Sequence, residues 1–278
     1  MELIRYFKIK KMKNIFLLSL MSAFLFTSCN KENGIPVDPI TGEPTPTTEY
    51  KLLKKDTTDN DLIVELYSKT ETIEMGYIPL YLKIRDISGS AVENALVLFM
   101  PMMDMGMMQH SSPVEQPVFN SDSDYYEGMV VFTMASSMGS WNLTVNVNGE
   151  DASFTINVLE NPTGTKYVGS YNGTDGEKYI VSIVRPFEWS VGMNDVSIMV
   201  HKNQSMMSFP AVSDLIIAMD PQMTSMGHGS PNNVSPVSVG NGYYDGQVNY
   251  TMTGDWRLNL DLIKAGDTIV NSYIDILF

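Results

Sequence analysis

The chain has 278 residues, 44% of them apolar and 18% charged, so it can build packed cores and is not of disordered composition. Its formal charge of −14 argues against a nucleic-acid partner, whose phosphates need Lys and Arg to displace their counterions. A single Cys excludes an internal disulfide, three His leave little for acid–base catalysis, and 21 Met stand out against both.

Residues 12–29, MKNIFLLSLMSAFLFTSC, have the layout of an export signal. Lys13 is the basic start, Ile15 to Phe26 form an apolar stretch too short for an ordinary spanning helix, and small residues Thr27 and Ser28 precede Cys29. This resembles a bacterial lipoprotein signal. The resemblance implies that synthesis starts at Met12, that residues 1–28 are removed, and that lipidated Cys29 anchors the chain to a membrane. Removal takes five of the 18 basic and one of the 32 acidic residues, leaving −18. Residues 29–60 are expected to be a tether: 30–50 contain four Pro and only Ile35, Val37 and Ile40 as aliphatic residues, too few to offset chain entropy. Asn30, Lys31 and Glu32 resemble short charged signals that send some lipoproteins outward. The expected location is the outer membrane, on its periplasmic or cell-surface face.

Beyond the tether the sequence repeats itself at an offset of 118 residues. Leu62-Ile63-Val64 corresponds to Ile180-Val181-Ser182, Met75 to Met193, His110 to His228, and Tyr125-Tyr126-Glu127-Gly128 to Tyr243-Tyr244-Asp245-Gly246. The offset then falls to 115, pairing Trp141 with Trp256, as expected where a hairpin loop shortens. Each copy predicts short strands. In the first these are Leu62–Tyr67, Ile78–Ile84, Ala95–Met100, Met129–Met134, Trp141–Val147 and Ser153–Leu159. In the second they are Tyr179–Val184, Val196–His201, Leu215–Met219, Gln247–Met252, Trp256–Ile263 and Thr268–Ile276. The expected fold is all-β: two tandem immunoglobulin-like β-sandwiches over 61–161 and 162–278, joined near Asn161–Gly164, with Trp141 and Trp256 as core anchors.

The methionines concentrate where each copy places its His. Residues 100–113 read MPMMDMGMMQHSSP and residues 219–231 read MDPQMTSMGHGSP, both expected as connecting loops. Superposed on the histidines, both contain Met-x-x-Met-x-His: Met105, Met108 and His110, then Met223, Met226 and His228. Thioether is a soft neutral donor that selects Cu(I), and imidazole also suits copper, whereas Ca²⁺ and Mg²⁺ want converging carboxylates. Met also fills irregular core gaps. The density of the cluster and its recurrence with a terminal His favour metal binding, with all six residues as direct ligands. Met100, Met102, Met103 and Met107 are either extra ligands of the first site or its rim. Binding is expected to weaken in acid, because a ligating imidazole must be neutral.

A Met/His loop, then Tyr-Tyr-(Glu/Asp)-Gly, a strand ending in Met, and the Gly-x-Trp of Gly139–Trp141 and Gly254–Trp256 together resemble the YtkA-like domain, which is similar to the extracytoplasmic part of FixH proteins. Residues 103–145 and 223–260 carry most of the match. The resemblance implies an exported β-sandwich linked by analogy with copper handling, here in tandem, without the spanning helix of the full FixH type.

His201 is expected to face solvent on its strand. One Tyr of each Tyr-Tyr pair is expected to pack inward while the other shields an edge. No Ser-His-Asp, Cys-His, paired-carboxylate or phosphate-loop arrangement is visible, and the chain is not expected to be an enzyme. The expected function is a lipid-anchored Cu(I)-binding protein of the cell envelope, with a copper-transport or other envelope protein as partner. The alternative is a metal-free envelope module that holds a protein or glycan.

Overall fold

The stretch Ser140–Val147, SWNLTVNV, alternates between buried Trp141, Leu143, Val145 and Val147 and more exposed neighbours, because a strand sends successive side chains to opposite faces. Ile63–Ser68 and Asp255–Lys264 show the same alternation. A computed structural model describes residues 49–185 and 188–278. The expected signal over 1–28, Cys29 and the tether as far as residue 48 lie outside the described residues.

The first sandwich contains strands β1 (Lys51–Thr57), β2 (Ile63–Ser68), β3 (Ile73–Glu74), β4 (Gly76–Arg85), β5 (Val97–Asp104), β6 (Gln109–His110), β7 (Val114–Asn120), β8 (Tyr125–Phe132), β9 (Ser140–Val147), β10 (Glu150–Ile156) and β11 (Val158–Leu159). One sheet runs β1-β2-β4-β8-β7 and the other β10-β9-β5-β6, while β3 and β11 form a short parallel pair. Leu66, Leu80 and Leu82 of the first sheet meet Phe99, Trp141, Leu143 and Phe154 of the second in the core.

The second sandwich repeats this plan with β12 (Val168–Asn172), β13 (Lys178–Arg185), β14 (Gly192–Lys202), β15 (Ile216–Met223), β16 (His228–Gly229), β17 (Val234–Gly240), β18 (Tyr243–Tyr250), β19 (Asp255–Lys264) and β20 (Asp267–Leu277). Its sheets run β12-β13-β14-β18-β17 and β16-β15-β19-β20. Trp256 is buried here among Ile217, Leu258, Leu260 and Ile274. The β9–β10 and β19–β20 hairpins turn through Asn148-Gly149 and Ala265-Gly266, all four residues at positive φ. That is the two-residue turn whose twist matches that of the strands it joins.

Two expectations need correction here. The tether was expected to reach residue 60, yet Lys51–Thr57 pairs with β2, and Asp56 Oδ2 accepts the Ser153 N–H at 2.8 Å. KLLKKDT is a polar edge strand, and edges protected by Lys carry little apolar signal. The strands β7, β12 and β17 were also not expected. β7 and β17 contain Pro117 and Pro236, which an edge position tolerates because no ladder donor is needed there.

The two sandwiches belong to one unit. Met129 and Val131 of β8 pack against Val168, Ile180 and Met199, with Tyr77, Phe209 and Tyr243 around them. Apart from Phe209, which lies in the segment after β14, these residues lie on the outer faces of the five-stranded sheets. Polar contacts fasten the joint. Tyr243 donates its hydroxyl proton to Glu115 Oε2 at 2.9 Å, its oxygen lies 2.9 Å from the Tyr77 hydroxyl, and the Ser111 N–H donates to the Met206 carbonyl at 2.7 Å. Burial raises the Glu115 carboxyl above the ordinary carboxylate range, and the Tyr243 hydrogen bond opposes that rise.

Candidate metal centre

The Met-rich segments are strands and tight turns rather than open loops, which corrects the expectation for both. β5 continues through the methionines to Asp104 because β9 supplies a ladder partner at every step, ending at Asp104 opposite Ser140. The chain then reverses. Met105 N–H donates to the Met108 carbonyl at 3.0 Å and Gly106 N–H to Asp104 Oδ1 at 2.7 Å, with Gly106 at φ +84°. β6 returns with Gln109 and His110. In the second copy β15 runs to Met223, whose carbonyl accepts the Gly227 N–H at 2.8 Å, and β16 returns with His228. Asp255 clamps this turn, accepting Ser225 N–H at 2.9 Å and Ser225 Oγ–H at 2.5 Å as well as the Thr224 hydroxyl. Those donors, Ser225 first, hold its carboxyl below the ordinary range.

The register decides which residues correspond. Met103 lies opposite His110 on one side and Trp141 on the other. Met223 lies opposite His228 and Trp256 in the same way. Directly opposed residues project to one face of a sheet, so each hairpin carries a row of His, Met and Trp. The counterpart of Met223 is therefore Met103, not Met105 as superposition on the histidines implied. The first hairpin has six residues between its Met and His and the second has four, so equal spacing back from the His selects different places. Met103, the residue the spacing missed, is readable from the alternation Phe99, Pro101, Met103 along β5, all three buried.

Both histidines are held alike. The His110 ring meets Trp141 edge-on at 5.6 Å and 90°, and the His228 ring meets Trp256 at 5.7 Å and 84°. His110 Nδ1 lies 2.8 Å from the Ser111 carbonyl and His228 Nδ1 lies 3.0 Å from the Gly229 carbonyl. A carbonyl only accepts, so the bond places the proton on Nδ1 and leaves the Nε2 lone pair for a ligand. Of the six residues expected as ligands, Met223 is buried, Met105, His110 and His228 are half-buried, and Met108 and Met226 stand in solvent at the turns. Met103 and Met105 converge on Gly139: a Cβ there would stand 3.0 Å from Met103 Cε and 3.1 Å from Met105 Cγ. Met223 covers Gly254 in the same manner, its Cε 2.1 Å from where a Cβ would be. The glycine of Gly-x-Trp thus makes room for what packs over it: the Met223 thioether at Gly254, and at Gly139 first the Asp104 carbonyl, 2.5 Å from such a Cβ, and then the two Met side chains. The described residues contain no group of three or more His, Cys, Asp or Glu suited to a metal.

Other expectations resolve away from this centre. His201 does not face solvent: it is 2% exposed, opposite Ile180 on the sheet face that meets the first sandwich. Its Nδ1 has no hydrogen-bond partner, and burial lowers its pKa to about 4. Tyr126 and Tyr244 are the inward members of their pairs, donating to the Val92 and Val212 carbonyls and accepting the Ala95 and Leu215 N–H. Tyr125 packs with Tyr50, Tyr67 and Tyr81, and Tyr243 enters the joint.

No known protein family and no curated protein matches the chain. Among solved structures it is similar to the Escherichia coli adhesin FdeC, with 14% identity over 80% of this chain and TM-score 0.24, and it spans 65% of that adhesin chain. It is also similar to domains 5–6 of the S-layer protein SbsC, with 12% identity, coverage of 82% and 99%, and TM-score 0.25. A third similar structure is the titin Z1Z2 pair in complex with telethonin, with 9% identity, coverage of 82% and 98%, and TM-score 0.19. At such identities and TM-scores these likenesses say nothing of function.

Proposed function

We propose that this chain is an envelope binding protein, of YtkA-like type and lipid-anchored at Cys29, that takes up Cu(I) at the ends of its two sandwiches. One observation carries the reading. In both copies a His stands opposite a Met and against a Trp, with Nδ1 tied to the next carbonyl and Nε2 left as an acceptor. His110 with Met103, Met105 and Met108 would hold one ion, and His228 with Met223 and Met226 the other. Thioether and imidazole together suit Cu(I), and thioethers do not pair into disulfides in an oxidising compartment. A binding role is preferred to catalysis, because the groups with shifted pKa values are enclosed by packing: buried His201 and half-buried Glu115 and Tyr243 at the joint between sandwiches, and buried Tyr250 in the second core beside Trp256.

A second reading, a metal-free module for a protein or glycan, is favoured by the tyrosine cluster of Tyr50, Tyr67, Tyr81 and Tyr125 on the first sandwich, with Lys69 and Lys83 over its rings. Anaerobic Cu(I) titration against a competing chelator separates the two. It is done on the full chain with Cys29→Ser, since a free thiolate binds Cu(I) itself. One ion per hairpin, with one lost in His228→Ala, supports copper binding; no uptake in competition supports the second reading.

A further inference from the structure

We propose that the first copper site lies between the sandwiches, with a thioether of Met206 or Met207 in the second sandwich joining His110, Met103 and Met105. This rests on the Cu(I) reading above and adds a ligand source that the repeat does not contain. The chain between β14 and β15 is longer than its counterpart: a bridge joins His201 to Ala211 there, whereas in the first copy it joins Arg85 to Ala91. The longer segment forms a tight turn, Ser205–Ser208, with Met206 and Met207 at its corners. It is fastened at two points. Phe209 packs into the joint between the sandwiches, and the Met206 carbonyl accepts the Ser111 N–H at 2.7 Å.

Ser111 directly follows His110, and its own carbonyl is the partner of His110 Nδ1. The backbone of one residue thus holds the imidazole on one side and the Met206 turn on the other. A turn retained only to fill the joint would bury its apolar side chains. Met206 and Met207 are instead 54% and 61% exposed, beside a half-buried His whose Nε2 is an acceptor. Met has three rotatable side-chain bonds, so a thioether can swing to a metal without moving the anchored backbone. The corresponding turn of the first sandwich, Asp86–Ser90, contains no Met, and among the described residues no backbone hydrogen bond ties it to Gly229. The first site therefore gains a donor that the second lacks, and metal there ties the sandwiches together.

The test uses the full chain with Cys29→Ser, labelled with ¹³C at the Met methyls and titrated with Cu(I) under a competing chelator. The expected result is that a Met206 or Met207 methyl signal moves with the first equivalent. Met206→Leu with Met207→Leu then weakens the tighter site by at least about tenfold, the low end for losing a group that supports a metal site, and leaves the weaker site unchanged. Leu for Met preserves volume, and an unchanged thermal midpoint checks that the fold is intact. Two bound ions with static Met206 and Met207 methyls and an unchanged double variant would overturn the shared site while leaving the hairpin sites standing. No Cu(I) uptake by any form overturns both.

Discussion

Met103 stands directly across the first hairpin from His110, inside a row that ends on Trp141. The sulfur belongs to the core while the imidazole reaches the surface, so metal binding and packing can be separated by substitution. Met103→Leu conserves volume and should cost under about 1.5 kcal/mol of stability. It should weaken Cu(I) at the first hairpin by about tenfold or more, the scale seen when metal sites lose a supporting group. Met100→Leu, on the opposite face of the same strand and 43% exposed, should change neither. Chelator competition and urea denaturation on the same proteins measure both quantities.

Gly254 is at φ +142°, and an added Cβ would stand 2.1 Å from Met223 Cε. Gly254→Ala should therefore push the Met223 thioether aside and destabilise the second sandwich by about 1–3 kcal/mol, as overpacking does. Cu(I) binding should drop at the second hairpin only. Equal loss at both hairpins, or at neither, would contradict the packing relation.

The buried imidazole of His201 titrates near 4 against an ordinary 6.5. Below 6.5 the unfolded chain takes up a proton that the folded chain refuses, so stability falls as pH drops from about 6.5 to about 4. The loss from this group reaches roughly 3 kcal/mol at the acid end. Urea midpoints at pH 7 and pH 4.5 should separate widely in the wild type. They should separate less in His201→Phe, where no proton can be taken up at this position.

Tyr243 bonds to Glu115 and Tyr77 across the joint. Tyr243→Phe leaves the half-buried Glu115 without that donor and should cost about 1–3 kcal/mol. The Ser111 amide, bonded to Met206 O across the same joint, should then exchange its hydrogen faster, while amides in the centre of β9 should not. Amide exchange followed by NMR reads both.

Much of the architecture is legible in the sequence, because a half-buried strand announces itself by alternation. Trp141, Leu143, Val145 and Val147 show it, as do Leu80, Leu82 and Ile84. The duplication was legible for the same reason, since two copies keep the same buried positions. Edge strands were not: β1, β7 and β17 bury little and so carry little pattern. His201 looked like an exposed strand residue because its covering comes from packing between the sandwiches, which no local pattern encodes.

By composition and spacing alone, the sequence determined that this protein repeats one β-sandwich and places a Met-rich segment before a His in each copy. Only the tertiary structure decided which Met faces which His. Hairpin register is set by ladder pairing with β9 and β19, and two extra residues in the first turn shift the correspondence from Met105 to Met103. Only the docking of one sandwich on the other put Met206 next to Ser111, since a contact between residues so far apart in the chain depends on how two finished surfaces fit.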